Sequence, residues 1–538
     1  MPSSRRRNYL LIPLFLALCS LTAGVFSGSL AHAATNDDPL SRSLQAFTKV
    51  YDVVEQNSAD GVKPEKSVYN GAIPGMLRTL DPHSNFFDPK AYQGLRDDQR
   101  GHYYGIGMQV GARNGKTIVI YPFGASPAYR AGLHPGDAIM QVNDKVTTNL
   151  NTTEIADLLK GPRGTKVNVT IQRDGVEMPM TFTITRDEIP RYSVPDAFYV
   201  RNGIAFVDIT GFNENTSKEM DEKLKKLNEK EIRGLILDLR GNPGGLLNEG
   251  VDVASHFLKR GDLVVSHHGR SSPNKNYQAR SDGSGKDYPI VVLVNRNSAS
   301  AAEIVSGALQ DHDRAWILGE TTFGKGLVQT VFPLGDNTGL ALTTAHYYTP
   351  SGRLIQRDYS NISFLDYYTH TNLEQKNMSD VKMTDSGRTV YGGGGITPDE
   401  KYEAPKPNKF QIAVLRKYGF FAFSAHYFGV NTAKLPKGWE PDESIVNQFH
   451  KYLLDNMVDF TEGEFTENHQ WIKEQLKREM YITGFTVEDS QRVGIEQDPE
   501  VQRAIDAMPK AKALLETAKK QLVKRLTGQD ETASLARR

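Results

Sequence analysis

The pattern of apolar and polar positions divides the chain into four blocks. The first block, residues 36 to about 100, carries apolar residues three and four positions apart in "PLSRSLQAFTKVYDVVEQN", which predicts a helix. A second short helix is predicted to end at Asp81–Pro82. Residues 102 to about 188 alternate apolar and polar positions between glycine turns, which predicts short strands. Residues 401 to 538 return to helical spacing.

The third block, residues 190 to about 400, predicts an α/β layer. Its apolar runs "GIAFVDITGF", "IRGLILDLRGN", "YPIVVLVNRN" and "RAWILGE" are separated by helical stretches. Buried strands that alternate with helices usually pair in parallel. Ligands of such sheets bind beyond the carboxyl ends of the strands, so "DLRGNPGG" and "VNRNSAS" are expected to meet there. The predicted fold class is therefore multidomain α/β.

The first 33 residues have the pattern of an export signal. Three arginines at positions 5 to 7 precede the apolar run "YLLIPLFLALCSLTAGVF", and "AHA" at 31–33 supplies small residues for cleavage. An uncleaved anchor helix is the alternative, because the apolar run is close to spanning length. We expect an exported protein in the periplasm or at the outer face of the cytoplasmic membrane.

The composition of the chain limits which ligands and which nucleophiles are expected. The full chain has 64 basic and 64 acidic residues, so nothing in its charge favours nucleic acid. Removing residues 1–33 takes away three arginines and Cys19, the only cysteine, and leaves a formal charge of −3. Without thiols, a nucleophile has to be a hydroxyl. No cofactor or metal is indicated, and His83, which has no second ligand at metal spacing, is interpreted as a structural or capping residue.

The second block resembles a PDZ domain. "YGIGMQV" would be its carboxylate-binding loop and second strand, followed by "SPAYRAGLHPGDAIMQVND" and "LLKGPRGTKVNVTIQRDG". Glycines at 105 and 107 let consecutive backbone N–H groups turn towards a terminal carboxylate, while the next strand pairs with the bound peptide. The residues expected to bind a substrate C-terminus are Gly105, Ile106, Gly107 and Met108.

Ser300 and Lys325 together offer a nucleophile and a base. An amine activates a hydroxyl only as the free base, so the lysine pKa has to be lowered by burial. Ser300 and Glu303 also have capping-box spacing, and Ser298 is an alternative cap or nucleophile. "GETTFGK" fits a phosphate loop, but Gly326 replaces the Ser or Thr that would bind magnesium, and a strand is predicted to follow.

Longer motifs resemble the carboxyl-terminal processing peptidases, also called tail-specific proteases. They are "LDLRGNPGGLLNEGVDVA", "VLVNRNSASAAEIVSGALQDH", "GETTFGKGLVQTVFPL" and "YYTPSGRLIQ", behind the PDZ-like block. With "AIPGMLRTLDPHSNFF" and "GGGGITPDE", the resemblance covers about residues 69–357 and 392–400. It implies a serine protease core of the ClpP/crotonase-like type, with a Ser–Lys dyad.

Position by position, the resemblance implies a role for five residues. Ser300 would be the nucleophile and Lys325 the general base, and Gln329 would help to orient the lysine. The backbone N–H groups of Gly245 and Ala301 would form the oxyanion hole.

The expected organisation is a signal peptide (1–33), a helical N-terminal region (34–101), a PDZ domain (102–188), a serine protease core (189–400) and a helical C-terminal region (401–538). The expected function is an exported serine endopeptidase that recognises proteins by their exposed C-termini. The helical regions are expected to pack or to form a homodimer, with docking of an envelope adaptor second. Residues 358–391 look like an insertion relative to the family.

Two other functions stay open on the sequence. One is an exported PDZ adaptor with an inactive protease-like fold, although an adaptor has no use for the serine and lysine. The other is a Ser–His protease, for which His267, His268 and His312 are available.

Overall fold

The computed structural model describes residues 38–283, 285–360, 363–369, 377–431 and 434–526. The predicted signal peptide lies outside these residues. The chain divides into two compact units, residues 1–80 and 81–538. None of the helices in the described ranges is both long and apolar enough to cross a membrane.

The described residues of the first unit are mainly helical. It contains α1 (Pro39–Asn57), a π-helix (Glu65–Ala72) and α2 (Ile73–Arg78). The prediction of α1 is confirmed, but the second helix ends at Arg78 and not at Asp81.

The earlier end of α2 has a local cause in the sequence that follows it. The Asp81 carboxylate accepts hydrogen bonds from the backbone N–H groups of His83 and Ser84, both at 2.8 Å. This turn competes with helix, and Pro82 disfavours a helical conformation at residue 81.

Residues 102–190 form a strand-rich domain. Its elements are β2 (His102–Gly105), β3 (Met108–Arg113), β4 (Lys116–Pro122), α4 (Pro127–Ala131), β5 (Ala138–Val142), β6 (Lys145–Val146), α5 (Thr152–Leu159), β7 (Lys166–Gln172), β8 (Met180–Thr185) and β9 (Asp187–Pro190). The main sheet has the order β3-β4-β5-β7-β8, and β2 pairs with β9 in a separate antiparallel ribbon. Because β3 is an edge strand, one side of it can pair with an added strand.

A six-stranded sheet forms the centre of the second unit. Its order is β10 (Ala197–Arg201), β11 (Ile204–Asp208), β12 (Gly234–Asp238), β15 (Ile290–Val294), β16 (Trp316–Gly319) and β21 (Glu400–Lys401). The strands from β11 onwards are parallel, which confirms the predicted layer.

Helices cover both faces of this sheet. One face packs against α6 (Thr216–Lys226), α7 (Leu247–Ser255) and α8 (Ala301–Asp311). The other packs against α16 (Pro499–Leu526), through residues such as Val501 and Ala504. The C-terminal segment therefore supplies a layer of the central core.

A second sheet carries the lysine motif. It contains β1 (Asn85–Phe87), β13 (Leu263–His268), β14 (Lys275–Gln278), β17 (Leu327–Pro333) and β18 (Gly339–Tyr348). Helix α3 (Pro89–Arg100) follows β1. The strand predicted after Lys325 is present as β17, and it pairs with β18 along its length. A phosphate loop would lead into a helix at this point.

The segment that looks like an insertion contains α9 (Phe364–Thr369), β19 (Asn377–Met383) and β20 (Thr389–Gly392).

The remaining C-terminal helices pack around an aromatic cluster that includes Phe410, Phe420 and Phe449. They are α10 (Lys409–Arg416), α11 (Gly419–Val430), α12 (Glu443–Asp455), α13 (Glu462–Glu467), α14 (His469–Gly484) and α15 (Val487–Glu496). Arg113 of β3 reaches these helices, with its guanidinium 5.3 Å from the ring centre of Tyr418. The strand-rich domain is thus in contact with the C-terminal helices.

Candidate active site

Ser300 lies on a tight turn between β15 and α8. Its φ of +54° and ψ of −114° are rare for a residue with a side chain. Such strain is kept where the surrounding structure fixes it, often at functional sites. Strand, strained serine and helix follow one another as in a nucleophile elbow.

The glycine-rich loop after β12 lies directly against this turn. A Cβ on Gly244 would lie 2.7 Å from the Ser300 Cβ and 2.9 Å from the backbone nitrogen of Ala301, so only glycine fits. A Cβ on Gly245 would lie 2.1 Å from the carbonyl oxygen of Phe212. The two glycines therefore allow the loop to approach the serine closely.

Two backbone donors at this contact are unused. The N–H groups of Gly245 and Ala301 donate to no group among the residues that the structure describes. Ala301 is the first residue of α8, where helical N–H groups lack intrahelical acceptors. A pair of free donors beside a serine has the character of an oxyanion hole.

Arg240 anchors the start of the glycine-rich loop. Its guanidinium donates to both oxygens of Asp238, with Nη2 2.6 Å from Oδ2. Nη1 lies 2.8 Å from carboxylate oxygens of both Asp498 and Glu500, at the start of α16. The loop is thereby tied to the C-terminal helix.

Lys325 is largely buried, and its amine is held in one direction. Burial lowers the pKa of Lys325 below its ordinary value of 10.5, while the Glu303 and Asp81 carboxylates act in the opposite direction. Nζ donates to Gln329 Oε1 at 2.9 Å, and Gln329 Nε2 donates to the carbonyl of His83 at 2.5 Å. The amide of Gln329 is thus oriented with its oxygen towards the lysine.

Glu303 connects the serine turn to the lysine loop. It is fully buried, and its Oε2 accepts from the backbone N–H groups of Ser300 at 2.8 Å and Lys325 at 2.9 Å. Its Oε1 accepts from the Thr322 hydroxyl at 2.6 Å and the Gly324 N–H at 2.7 Å. Burial raises the pKa of Glu303, and these four donors oppose that shift. Sequence spacing indicates the capping contact with Ser300, but not the bonds to the lysine loop.

Tyr347 of β18 is a second connection, and no motif in the sequence indicates it. Its hydroxyl contacts the carbonyl oxygens of both Ser300, at 3.1 Å, and Lys325. The side chain is 1% exposed. A tyrosine on an alternating strand has no local signature of such a role, because the role depends on two distant loops.

Ser298, the alternative nucleophile, has a structural role. It is fully buried, its Oγ accepts from the Asn295 N–H at 2.9 Å, and it donates to the Leu239 carbonyl at 2.7 Å. It therefore ties the two loops together and does not line the cavity described next.

One cavity of about 730 Å³ brings most of the predicted catalytic residues together. Ser300, Lys325, Gln329 and Gly245 line it, while the side chain of Ala301 is fully buried. Apolar side chains that share the lining include Phe212, Leu246, Leu247, Ile304, Leu327 and Val331. No hydrogen bond joins Ser300 Oγ to Lys325 Nζ in this structure, and the lysine donates to Gln329 Oε1.

The histidines proposed for a Ser–His site lie elsewhere. His267, His268 and His312 do not line the cavity. Burial acts to lower the pKa of His312, but its bonds to Asp385 and a backbone carbonyl raise it to about 9. His83 does line the cavity, and burial followed by the nearby lysine lowers its pKa to about 3.

The predicted PDZ loop lies outside this cavity. The carbonyl of Ile106 accepts from the Ala128 N–H at 2.8 Å, and that of Gly107 accepts from the Ser126 hydroxyl at 2.7 Å. The N–H groups of Ile106 and Gly107 donate to nothing within the described part of the chain. With its carbonyls tied to α4, the loop keeps donors for an anion.

Comparisons with known proteins identify the family of this chain. Residues 203–361 match the sequence pattern of Peptidase family S41, and residues 124–173 match that of a PDZ domain. The carboxy-terminal-processing protease of Bartonella bacilliformis is 34% identical over 401 residues, which are 74% of this chain and 83% of that protein. The carboxy-terminal processing protease CtpB of Bacillus subtilis is 33% identical over 327 residues, 60% of this chain and 68% of that protein.

This chain belongs to the carboxy-terminal processing proteases. A carboxyl-terminal-processing protease of Synechocystis is 38% identical over 285 residues, 52% of this chain and 66% of that relative. The protease is therefore a serine-type peptidase with a PDZ domain, and the family suggested by its motifs is confirmed.

Proposed function

We propose that the protein is an exported serine endopeptidase that binds protein C-termini through its PDZ domain and cleaves with Ser300 and Lys325. The observation that carries the proposal is the shared cavity. In it, a strained serine at a helix N-terminus and a buried lysine are tied together by Glu303 and Tyr347. Because burial lowers the pKa of Lys325, its amine loses its proton at a lower pH than an ordinary lysine, which suits a general base.

The chemistry is acyl transfer in two steps. Neutral Lys325 takes the proton from Ser300 Oγ as that oxygen bonds to the carbonyl carbon of the scissile peptide. The N–H groups of Gly245 and Ala301 donate to the developing oxyanion. Protonated Lys325 gives its proton to the leaving nitrogen, and the C–N bond breaks. Water, activated by Lys325, then hydrolyses the ester and releases Ser300.

Substrate selection is assigned to the PDZ loop, residues 105–108. Its free N–H groups suit a terminal carboxylate, and the open edge of β3 suits a substrate strand. Unfolded proteins with exposed apolar C-termini are the proposed substrates. Gly107→Ala tests this role, since φ is +76° and a Cβ there would lie 2.6 Å from the Ser126 Cβ. Gly115→Ala is its control, with φ of +74° and no atom near the added Cβ.

Export rests on the pattern of residues 1–33. The proposed location is the periplasm or the outer face of the cytoplasmic membrane. Cell fractionation together with sequencing of the mature N-terminus tests this. A new N-terminus at residue 34 supports a cleaved signal, an intact N-terminus in the membrane fraction supports an anchor, and a soluble cytoplasmic product contradicts export.

A homodimer through the helical regions remains the proposed assembly, with an envelope adaptor as the second candidate. Helix α1 supports it, because Leu40, Leu44 and Val50 are 57–63% exposed within their unit. Sedimentation of the purified protein and of a Leu44→Glu variant tests the dimer. A monomeric unchanged protein would contradict it.

The deciding experiment offers an unfolded protein, with and without an apolar C-terminal tail, to the purified protease. Ser300→Ala and Lys325→Ala are expected to abolish cleavage, and the double variant His267→Ala/His268→Ala is expected to cleave normally. A fluorophosphonate probe followed by peptide mass spectrometry should label Ser300 and not Ser298. Normal turnover by Lys325→Ala would overturn the dyad, and tail-independent cleavage would overturn recognition by the PDZ domain.

A further inference from the structure

Residues that follow β18 hold the loop of Lys325 on both sides of the lysine. Gln356 Oε1 accepts from the Gly326 N–H at 2.8 Å, and the Arg357 N–H donates to the Gly324 carbonyl at 2.9 Å. A Cβ on Gly326 would lie 2.9 Å from the Gln356 nitrogen, so the two backbones are in close contact. The position of the lysine loop therefore depends on this segment.

Tyr367 of α9 joins that segment to the turn that holds Gln329. Its side chain is 1% exposed, and its hydroxyl lies 2.8 Å from His83 Nε2 and 3.3 Å from Gln356 Nε2. The carbonyl of His83 accepts from Gln329, which in turn accepts from Lys325. One hydroxyl thus connects the two supports of the lysine.

Only one assignment of donors and acceptors satisfies all the hydrogen bonds around the Tyr367 hydroxyl. Gln356 Nε2 has only hydrogens to give, so Tyr367 accepts from it and donates to His83 Nε2. His83 then carries its hydrogen on Nδ1, which lies 3.3 Å from the Tyr368 hydroxyl, and Tyr368 donates to the Pro82 carbonyl at 2.8 Å. This order requires a neutral imidazole, which agrees with the lowered pKa of His83.

We propose that Tyr367 is a positioning residue for Lys325, supplied by the segment that interrupts the family motifs. Tyr367 does not itself line the cavity, and it reaches the site only through His83, which does. It fixes the His83 turn relative to Gln356, so that Gln329 Oε1 engages one hydrogen of the amine and the lone pair of neutral Lys325 is left for the serine. The inference rests on the proposed Ser–Lys dyad.

Tyr367→Phe in the full chain tests the proposal, because it removes the hydroxyl and keeps the ring. We expect kcat to fall about 10-fold to 100-fold, as for a slightly misplaced catalytic group, with KM changed less than about twofold. A lysine that is held less firmly is more exposed to water, so its pKa rises towards the ordinary value. The acidic limb of the pH profile of kcat/KM therefore moves to higher pH. The titratable groups that face Lys325 are Asp81, His83, Glu303 and Tyr347, all unchanged in this variant.

Tyr359→Phe is the matched control. Its ring centre lies 6.2 Å from that of Tyr367, and its hydroxyl has no hydrogen bond within the described residues. It should leave kcat and the pH profile unchanged. Gln356→Met removes the other partner of the Tyr367 hydroxyl together with the acceptor of the Gly326 N–H, so it is expected to act in the same direction and at least as strongly. Rates per titrated active site keep the test valid if Tyr367→Phe folds poorly.

The measured rates and unfolding curves distinguish a loss of lysine positioning from a general loss of protein stability. Rates are expressed per active site titrated with the fluorophosphonate, beside thermal unfolding curves. If Tyr367→Phe and Gln356→Met lower only the melting temperature and keep the original pH profile per active site, the inference is overturned. If Lys325→Ala is inactive while Tyr367→Phe behaves like the unchanged protease, the dyad stands and only the positioning role falls. If Lys325→Ala is active, the proposed function itself falls.

Discussion

Glu303→Gln is the most informative single change, because Glu303 accepts four hydrogen bonds from two separate loops. The substitution keeps the shape of the side chain and replaces one acceptor oxygen by an NH₂ group. The Thr322 hydroxyl can accept from that group, but the Gly324 N–H cannot. The least costly orientation therefore keeps the bonds to Ser300 and Lys325 and loses the one to Gly324.

The expected loss of stability follows from those bonds. One buried N–H loses a charged acceptor, which costs about 1.5–3 kcal/mol. The two retained bonds lose charge assistance and become about half as strong, while a neutral amide avoids the desolvation of a buried charge. We expect the free energy of unfolding to fall by about 2–4 kcal/mol.

Glu303→Gln is also expected to change the pKa of Lys325, because it removes a nearby negative charge. The Glu303 carboxylate raises the pKa of Lys325 against the effect of burial. Without that charge the lysine pKa falls further, so the acidic limb of kcat/KM should move to lower pH even though the protein is less stable. A purely structural defect would lower the rate without moving the limb in this direction.

Urea unfolding and a pH series of kcat/KM measure the two effects. Glu464→Gln is the control, because Glu464 occupies the same capping position on α13, accepts from the Thr461 N–H at 2.8 Å and is partly exposed. It should change neither quantity appreciably. An unchanged unfolding midpoint in Glu303→Gln, or a limb that moves to higher pH, would refute the reasoning.

Three further outcomes are expected. Gly244→Ala should lower kcat about 100-fold, since the added Cβ collides with the nucleophile turn, whereas Gly241→Ala, with φ of +69° and open space around it, should keep most activity in the same peptide assay. Arg240→Met should lower the free energy of unfolding by about 3–5 kcal/mol, because it leaves buried carboxylates unpaired. Arg296→Met, at a surface pair, should cost at most about 1 kcal/mol in the same urea unfolding experiment. Activity should rise with pH and level off below pH 10.5, the ordinary pKa of lysine, as Lys325 deprotonates, and a profile that falls over this range would contradict its role as base.

The layer of parallel strands could be predicted because its signal is local. Runs such as "PIVVLV" are short, apolar at every position and rich in β-branched residues, as expected for a strand that is buried on both faces. The packing of α16 on that sheet could not be predicted in the same way. Its helical spacing shows an apolar stripe but not the surface that covers it.

The residues of the candidate site differ in the same way, because some have a local signal in the sequence and others do not. Ser300 and Lys325 are recognisable because small residues and glycines must surround them in the sequence. Tyr347 and Tyr367 have no such signature, since each acts through a hydroxyl that reaches groups on other elements. His83 looked structural in the sequence, and only the folded chain places its ring on the cavity and its carbonyl on Gln329.

The sequence by itself determined which groups are available: a serine at a helix start, a lysine before a strand, glycines that permit close backbone contact, and no cysteine after position 19. The tertiary structure decided whether those groups can react. A lysine pKa is lowered by the removal of water. The Glu303 carboxylate is held by donors of the lysine loop, and the Gln329 amide is oriented by donating to the carbonyl of His83. Both effects arise from non-local contacts, which exist only once the two sheets and their loops have packed together.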